Sequence, residues 1–238
     1  MNRQLLLSVL SAGFCAGNAG AVVTSVVPFS ATPATLIAPP GSAGDGALAG
    51  GAFVWEERND MVLPVPLPVD SFGFGVGIPA AFQTATFATH PGVIPAGTTI
   101  SSFILHFDTS TNQTPGTAAF QVQTDQDIIG VILKDATLDA SDAIVGAPTT
   151  YPLGLQYRGT ASDPLEGGDN VIVGVPGDFA LGYSRVVNVF AMDVEGALDE
   201  VRIITAPHVP EPASGIAALL ATAAILPKRG NARLWNQC

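Results

Sequence analysis

Three histidines, a scatter of carboxylates and no well-placed thiol bound the chemistry open to this chain. His106-Phe107-Asp108 comes nearest to a base with an orienting carboxylate. Residues two apart share a face of an extended segment, so His106 and Asp108 project together and Phe107 projects away. His90 stands in the turn His90-Pro91-Gly92, and His208 lies in a connecting stretch. No serine occupies a glycine-flanked nucleophile turn, and the only cysteines, Cys15 and Cys238, sit in the two end segments. A structural histidine therefore outranks a catalytic one, and the sequence assigns no catalytic residue. Gly73, Gly75 and Gly77 superficially suggest a nucleotide loop. They lack the strand-then-helix setting with a following acid that such a loop needs, so no cofactor-binding residue is assigned.

Calcium is the alternative chemistry. Asp125 and Asp127 would present two carboxylates on one strand face, and Asp139 with Asp142, or Asp163, Glu166 and Asp169, would close an oxygen cage. None of these sets matches a defined loop signature, and Asp is also the ordinary cap and turn residue, so no metal ligand is assigned. Trp55, Tyr151, Tyr157 and Tyr183 are the aromatics able to serve as a sugar platform. They form no periodic stripe. Asn112-Gln113-Thr114 fits a glycosylation sequon and is given no weight.

The elements that would position these groups are short strands. Ala52–Glu56 alternates with Phe53 and Trp55 on one face, and Glu56 to Asp60 reads as a charged connection. Met61–Val69 carries Pro64, Pro66 and Pro68 and is expected as an extended edge or loop. Ala81–Thr89 is expected as a strand. Thr99–Phe107 is the clearest alternation, with Ser101, Phe103, Leu105 and Phe107 facing one way. Thr117–Thr124 returns as its expected hairpin partner. Asp127–Leu133 reads as a buried strand with a bulge at Gly130. Leu138–Val145 is a short helix capped by Asp139 or Ser141. Asn170–Val175, Arg185–Met192 and Leu198–Thr205 are expected to close the domain. Some nine strands without long helices predict an all-β fold, a two-sheet antiparallel sandwich or jelly roll.

Charge narrows the partners. From Val22 to Val209 the chain has 19 acidic against 5 basic residues, a net charge of −14. That balance repels phosphate backbones and excludes nucleic acid. High glycine, proline, threonine and valine with little lysine suits an exported β domain.

Both ends read as processing segments. Arg3, the apolar Leu5–Phe14 and the small-x-small site Ala19-Gly20-Ala21 form a signal peptide over residues 1–21, so the mature chain should begin near Val22. Residues 22–47 are an extended arm with an edge strand around Ser25–Phe29, residues 48–205 the β domain and residues 206–209 a linker. Pro210-Glu211-Pro212 then precedes an uncharged run, Ala213–Leu226, apolar on every helical face. Its fourteen residues span roughly 21 Å as a helix, short of the roughly 30 Å of a hydrocarbon layer. Lys228, Arg229 and Arg233 follow as a basic stop that holds the carboxyl end inside.

This order over residues 210–238 resembles the PEP-CTERM sorting signal of Gram-negative bacteria. The resemblance implies, as partners, the export translocase, signal peptidase and an exosortase-like processing enzyme, with transient inner-membrane anchoring before release to the cell surface. Ala96–Asp108, Asp127–Ile132, Leu138–Tyr151, Arg158–Gly159 and Asp199–Thr205 also look similar to a domain of uncharacterised PEP-CTERM proteins. The functional expectation is a non-catalytic structural or adhesive component of the envelope or extracellular polysaccharide matrix. A carbohydrate-binding module, with or without calcium, is the alternative, and a matrix polysaccharide hydrolase the third reading.

Overall fold

The computed structural model describes residues 23–72, 91–109, 116–155, 158–159, 170–173, 185–194 and 198–207. All belong to the first of two units into which the chain divides, Met1–Pro207. The expected strand Ala81–Thr89 and both end segments lie outside the described residues.

The fold is all-β. In chain order the strands are β1 (Val23–Pro28), β2 (Ala34–Leu36), β3 (Gly51–Val62), β4 (Leu67–Val69), β5 (Ser71–Phe72), β6 (Gly92–Ile94), β7 (Thr99–Asp108), β8 (Gly116–Thr124) and β9 (Asp127–Ile132). Helix α1 (Asp135–Val145) follows, then β10 (Asn170–Val173), β11 (Val186–Val194) and β12 (Leu198–Ala206). Valine, isoleucine, threonine and phenylalanine dominate the long strands, as a pleated surface buried on at least one face requires.

One sheet has four strands, ordered β1-β8-β11-β10, and another has six, ordered β2-β3-β7-β12-β9-β5; β4 and β6 form a separate pair. The main core joins Val54, Phe103, Leu105, Val201 and Ile203 of the six-stranded sheet to Phe120, Val122, Val187 and Val189 of the four-stranded one. Each such side chain contributes about 1.5–3 kcal/mol by leaving water. The six-stranded sheet is covered on its other face as well. There Leu138 and Val145 of α1 pack with Ile132, Ile204, Leu67 and Ile94. Double coverage explains why β7 and β12 are buried along nearly their whole length despite alternating apolar and polar residues.

Several expectations are corrected. Strands β7 and β8 do not form a hairpin: β7 pairs with β3 and β12, while β8 pairs with β1 and β11. The two alternations are equally good because each strand lines the main core from opposite sheets. The charged stretch Glu56–Asp60 is not a connection but the continuation of β3, with register shifts after Glu56 and Arg58, and of its charges Glu57 is the one turned fully inward. Helix α1 starts at Asp135, three residues before the expected Leu138, and its N-cap Lys134 supplies no side-chain bond. Neither Asp139 nor Ser141 caps it. Asp70, at the β4–β5 junction, ties down the approach to the helix instead, accepting from the amides of Leu133 at 2.8 Å and Lys134 at 2.9 Å, and from Thr137 Oγ1 at 2.8 Å. The arm contributes the edge strand expected near Ser25–Phe29 and a second one, β2, parallel to β3. In β9 the register shift leaves Ile129 as the extra residue beside Gly130.

Candidate functional site

The face of the six-stranded sheet beneath α1 carries a row of charged residues. Alternation along β3 places Phe53, Trp55 and Glu57 on this face, and alternation along β12 adds Leu198, Glu200, Arg202 and Ile204. Strand β7 contributes Ile104 and His106. Register sets Glu200 directly opposite His106 and Arg202 opposite Ile104. From above, α1 projects Asp135, Asp139 and Asp142, whose spacing of four and three keeps them on one side of the helix. The segment after the helix brings Tyr151 and Arg158.

Two arginines cross between these layers. Arg202, rooted in the sheet, donates from Nε to Glu57 Oε2 at 2.8 Å and from Nη2 to Glu57 Oε1 at 2.7 Å. It also reaches up to Asp142 Oδ1 at 2.8 Å, the Leu138 carbonyl at 3.3 Å and the Ser141 hydroxyl. Arg158, rooted above, reaches down to Glu200 Oε2 at 2.5 Å and laterally to Asp142 at 2.6 and 3.0 Å and to Asp139 at 3.1 Å. Every nitrogen of both guanidiniums thus donates within the fold. Tyr151 lies between them, its ring centroid 4.6 Å from the Arg158 guanidinium carbon and 5.1 Å from that of Arg202. Its hydroxyl donates to Glu57 Oε1 at 2.5 Å and accepts from Trp55 Nε1 at 3.0 Å.

The backbone reinforces the lock. Asp135 Oδ1 accepts from the amides of Arg158 at 3.0 Å and Gly159 at 2.6 Å, and Asp139 Oδ2 accepts from Gly154 at 2.8 Å. The Glu200 amide donates to the Arg158 carbonyl at 2.7 Å. Only glycine fits at 159, since a Cβ there would lie 2.2 Å from the Leu133 carbonyl oxygen.

Electrostatics follow from burial and pairing. The side chains of Glu57, His106, Arg158, Glu200 and Arg202 are all fully buried. Burial alone would raise the Glu200 carboxyl, but the His106 ring and the Arg158 guanidinium outweigh it and hold Glu200 below the usual range. Burial opposes charge on both arginines, yet Glu200 and Asp142 around Arg158, and Glu57 and Asp142 around Arg202, raise them further. Burial, then the Glu57 charge, pushes the Tyr151 hydroxyl up. Burial also raises Asp135, against the Gly159 and Arg158 amides. The arrangement is a clamp between two layers, in which both guanidiniums are buried and every one of their nitrogens is engaged.

His106 and Asp108, weighed and not assigned as a catalytic pair, take separate partners. His106 takes its carboxylate from Glu200, Nδ1 to Oε1 at 3.0 Å, and its Nε2 is buried with no hydrogen-bond partner among the described residues. Asp108 turns to the neighbouring turn, accepting from the Gly46 amide at 2.6 Å. Burial raises its carboxyl, against that amide and the His106 charge. Of the calcium candidates, Asp139 and Asp142 are engaged by arginines, and Asp127 accepts from Arg185 Nε at 2.9 Å. No group of three or more metal-ligating side chains occurs among the described residues. Trp55 and Tyr151 are buried, at 0% and 7% exposure, and cannot serve as an open sugar platform. Ala19, Ala21, His90, Tyr157, Asp163, Glu166, Asp169, Tyr183, His208, Pro210, Glu211, Pro212, Lys228, Arg229 and Arg233 lie outside the described residues. Among the described residues no helix is long and apolar enough to cross a membrane.

No protein-family model matches the chain, and no curated protein or solved structure matches it either.

Proposed function

We propose that this is an exported, non-catalytic protein of the cell envelope or extracellular polysaccharide matrix, sorted by its carboxyl-terminal segment and acting structurally or adhesively through a two-sheet β-sandwich or jelly roll. The observation that carries the reading is the order Pro210-Glu211-Pro212, Ala213–Leu226, then Lys228, Arg229 and Arg233. Its resemblance to the PEP-CTERM signal supplies the partners: translocase, signal peptidase and an exosortase-like enzyme. The clamp adds support of a different kind. Four of the five internal segments that look similar to the PEP-CTERM-associated domain supply all of its polar members except Trp55, Glu57 and Asp135. A layer locked by buried ion pairs suits a protein whose task is to persist outside the cell. Replacing Pro210-Glu211-Pro212 by three alanines should trap the chain at the inner membrane, where the unaltered chain reaches the surface. Equal surface delivery of both would refute the sorting role.

One surface favours the carbohydrate-binding alternative. On the outer face of the four-stranded sheet Gln123 Nε2 donates to Gln121 Oε1 at 3.0 Å, and Gln121 Nε2 to Asn188 Oδ1 at 2.7 Å. Val27 and Phe29 flank this amide ladder, exposed at 44% and 53%. Side-chain amides beside an exposed aromatic can pair with sugar hydroxyls and a sugar's C–H face. A glycan array read with and without chelator separates this module from a purely structural role. The hydrolase reading gains nothing from Glu57 and Glu200, which are buried and held by arginines.

A further inference from the structure

A second set of buried polar groups lies on the face of the six-stranded sheet that looks away from the clamp. Thr205 continues the β12 alternation of Val201 and Ile203 toward the main core, and register sets it opposite Ser101 of β7. Its hydroxyl donates to Gln126 Oε1 at 3.0 Å, across 79 positions of chain. Gln126 stands in the turn from β8 to β9, where the chain passes from one sheet to the other. There the Thr124 hydroxyl donates to the Gln126 backbone carbonyl at 2.7 Å. The far side of the amide meets β3, with Gln126 Nε2 donating to Asp60 Oδ1 at 3.4 Å. Thr205 is 0% and Gln126 3% exposed, so bulk water is kept from both.

The geometry aims a hydroxyl at an amide carbonyl. A carboxylate only accepts, so the Gln126 amide must turn its nitrogen to Asp60 and its oxygen to Thr205. A C=O bond is about 1.2 Å long, so the Gln126 side-chain carbonyl carbon stands no more than about 4.2 Å from Thr205 Oγ1. A small side-chain rotation closes that gap to the roughly 3–3.5 Å of a reactive pair. Asp60 sits at φ 47°, a left-handed conformation that is strained for a residue with a side chain. Its amide donates to Ser101 Oγ at 3.0 Å, which holds it there.

We infer that Thr205 and Gln126 become joined in an ester that the folded chain makes on its own. Thr205 Oγ1 attacks the Gln126 side-chain carbonyl carbon, a C–O bond forms and the C–N bond breaks. Nε2 leaves as ammonia, with its own two hydrogens and the proton given up by the hydroxyl. Asp60 Oδ1, in contact with the departing nitrogen, hands that proton on to it. No oxidant, metal or co-reactant enters, and escape of ammonia into solvent draws the exchange forward. Burial then shields the ester from hydrolysis. Thr205 is the last residue but one of β12, so the bond would tie the strand that leads out of the domain to the crossover between the sheets. Its use as a load-bearing tie rests on the proposed surface attachment through the carboxyl end, whereas the bond itself does not.

The test is the tryptic peptide mass of the purified, folded full chain. Trypsin cuts after Arg58, Lys134 and Arg202, so the ester joins residues 59–134 to the peptide beginning at Ile203, about 17 Da below the summed masses. Alkaline hydroxylamine should separate the two. Thr205→Ser keeps the hydroxyl and should still link, and Thr205→Val should not. Asp60→Asn, which a left-handed backbone tolerates, should slow linkage after refolding at least about tenfold. An unchanged rate removes Asp60 from the step. Linkage in Thr205→Val, or two separate peptides from a chain that unfolds cooperatively, overturns the ester and leaves a buried hydrogen bond. Failure of the sorting reading would alter where the chain ends and leave this junction as it is.

Discussion

Arg202→Met is the sharpest perturbation of the clamp, since it keeps most of the side-chain volume and deletes the charge. It removes both bonds to Glu57 and those to Asp142, the Leu138 carbonyl and Ser141. Glu57 then remains fully buried with, among the described residues, the Tyr151 hydroxyl as its one side-chain donor. Breaking a buried pair by removing one partner costs about 3–5 kcal/mol, because the stranded charge keeps its desolvation penalty. With a urea slope of about 2 kcal/mol/M, the midpoint should fall by roughly 1.5–2.5 M. Trp55, bonded to Tyr151 and 5.4 Å from the His106 ring, provides a local emission signal for the same transition. Adding Glu57→Gln removes the stranded charge, so the double variant should be no less stable than Arg202→Met alone. A loss below about 1 kcal/mol for the single variant, or strictly additive losses in the double, would refute the clamp as described.

Acid provides a second test. Glu200 titrates below its ordinary value in the folded chain, so its contribution is fully present above about pH 4.3 and is lost as pH falls through the lower folded value. Glu200→Gln should therefore destabilise at pH 7, and its deficit should shrink below about pH 4 in urea titrations run from pH 7 to pH 3. Gly159→Ala must displace the Leu133 carbonyl and the Asp135 amide, at a cost of about 1–3 kcal/mol by thermal unfolding. Gly154→Ala, where only the positive φ of 76° is strained and no atom lies within 4 Å, should cost about 1–2 kcal/mol. Asp70→Ala leaves the buried Leu133 amide and the Lys134 amide without their acceptor and should cost about 1–3 kcal/mol, with amide exchange most accelerated at those two residues.

The long strands were legible because a two-residue period is a local signal. Thr99–Phe107 was placed almost to its ends, against the observed Thr99–Asp108. Pairing was not legible, since β7 and β8 alternate equally well and nothing local states that they belong to different sheets. The clamp was hidden for the same reason. Glu57 and Arg202 are 145 positions apart, His106 and Glu200 are 94, and only folding brings them together. Some signal was available. Glu57 continues the face of Phe53 and Trp55, and Glu200 with Arg202 interrupts the face of Leu198 and Ile204. Charges on an otherwise apolar face call for a buried partner. Reading Glu56–Asp60 as a solvated connection overlooked that demand. The α1 aspartates were grouped correctly at Asp139 and Asp142, but the cation they hold is a guanidinium.

The account of destination is tested most directly by the intact mass of the protein recovered from outside the cell. It should correspond to a chain beginning near Val22 and ending near Pro210-Glu211-Pro212, with any added glycan or lipid. A surface form that still contains Trp235 would contradict it.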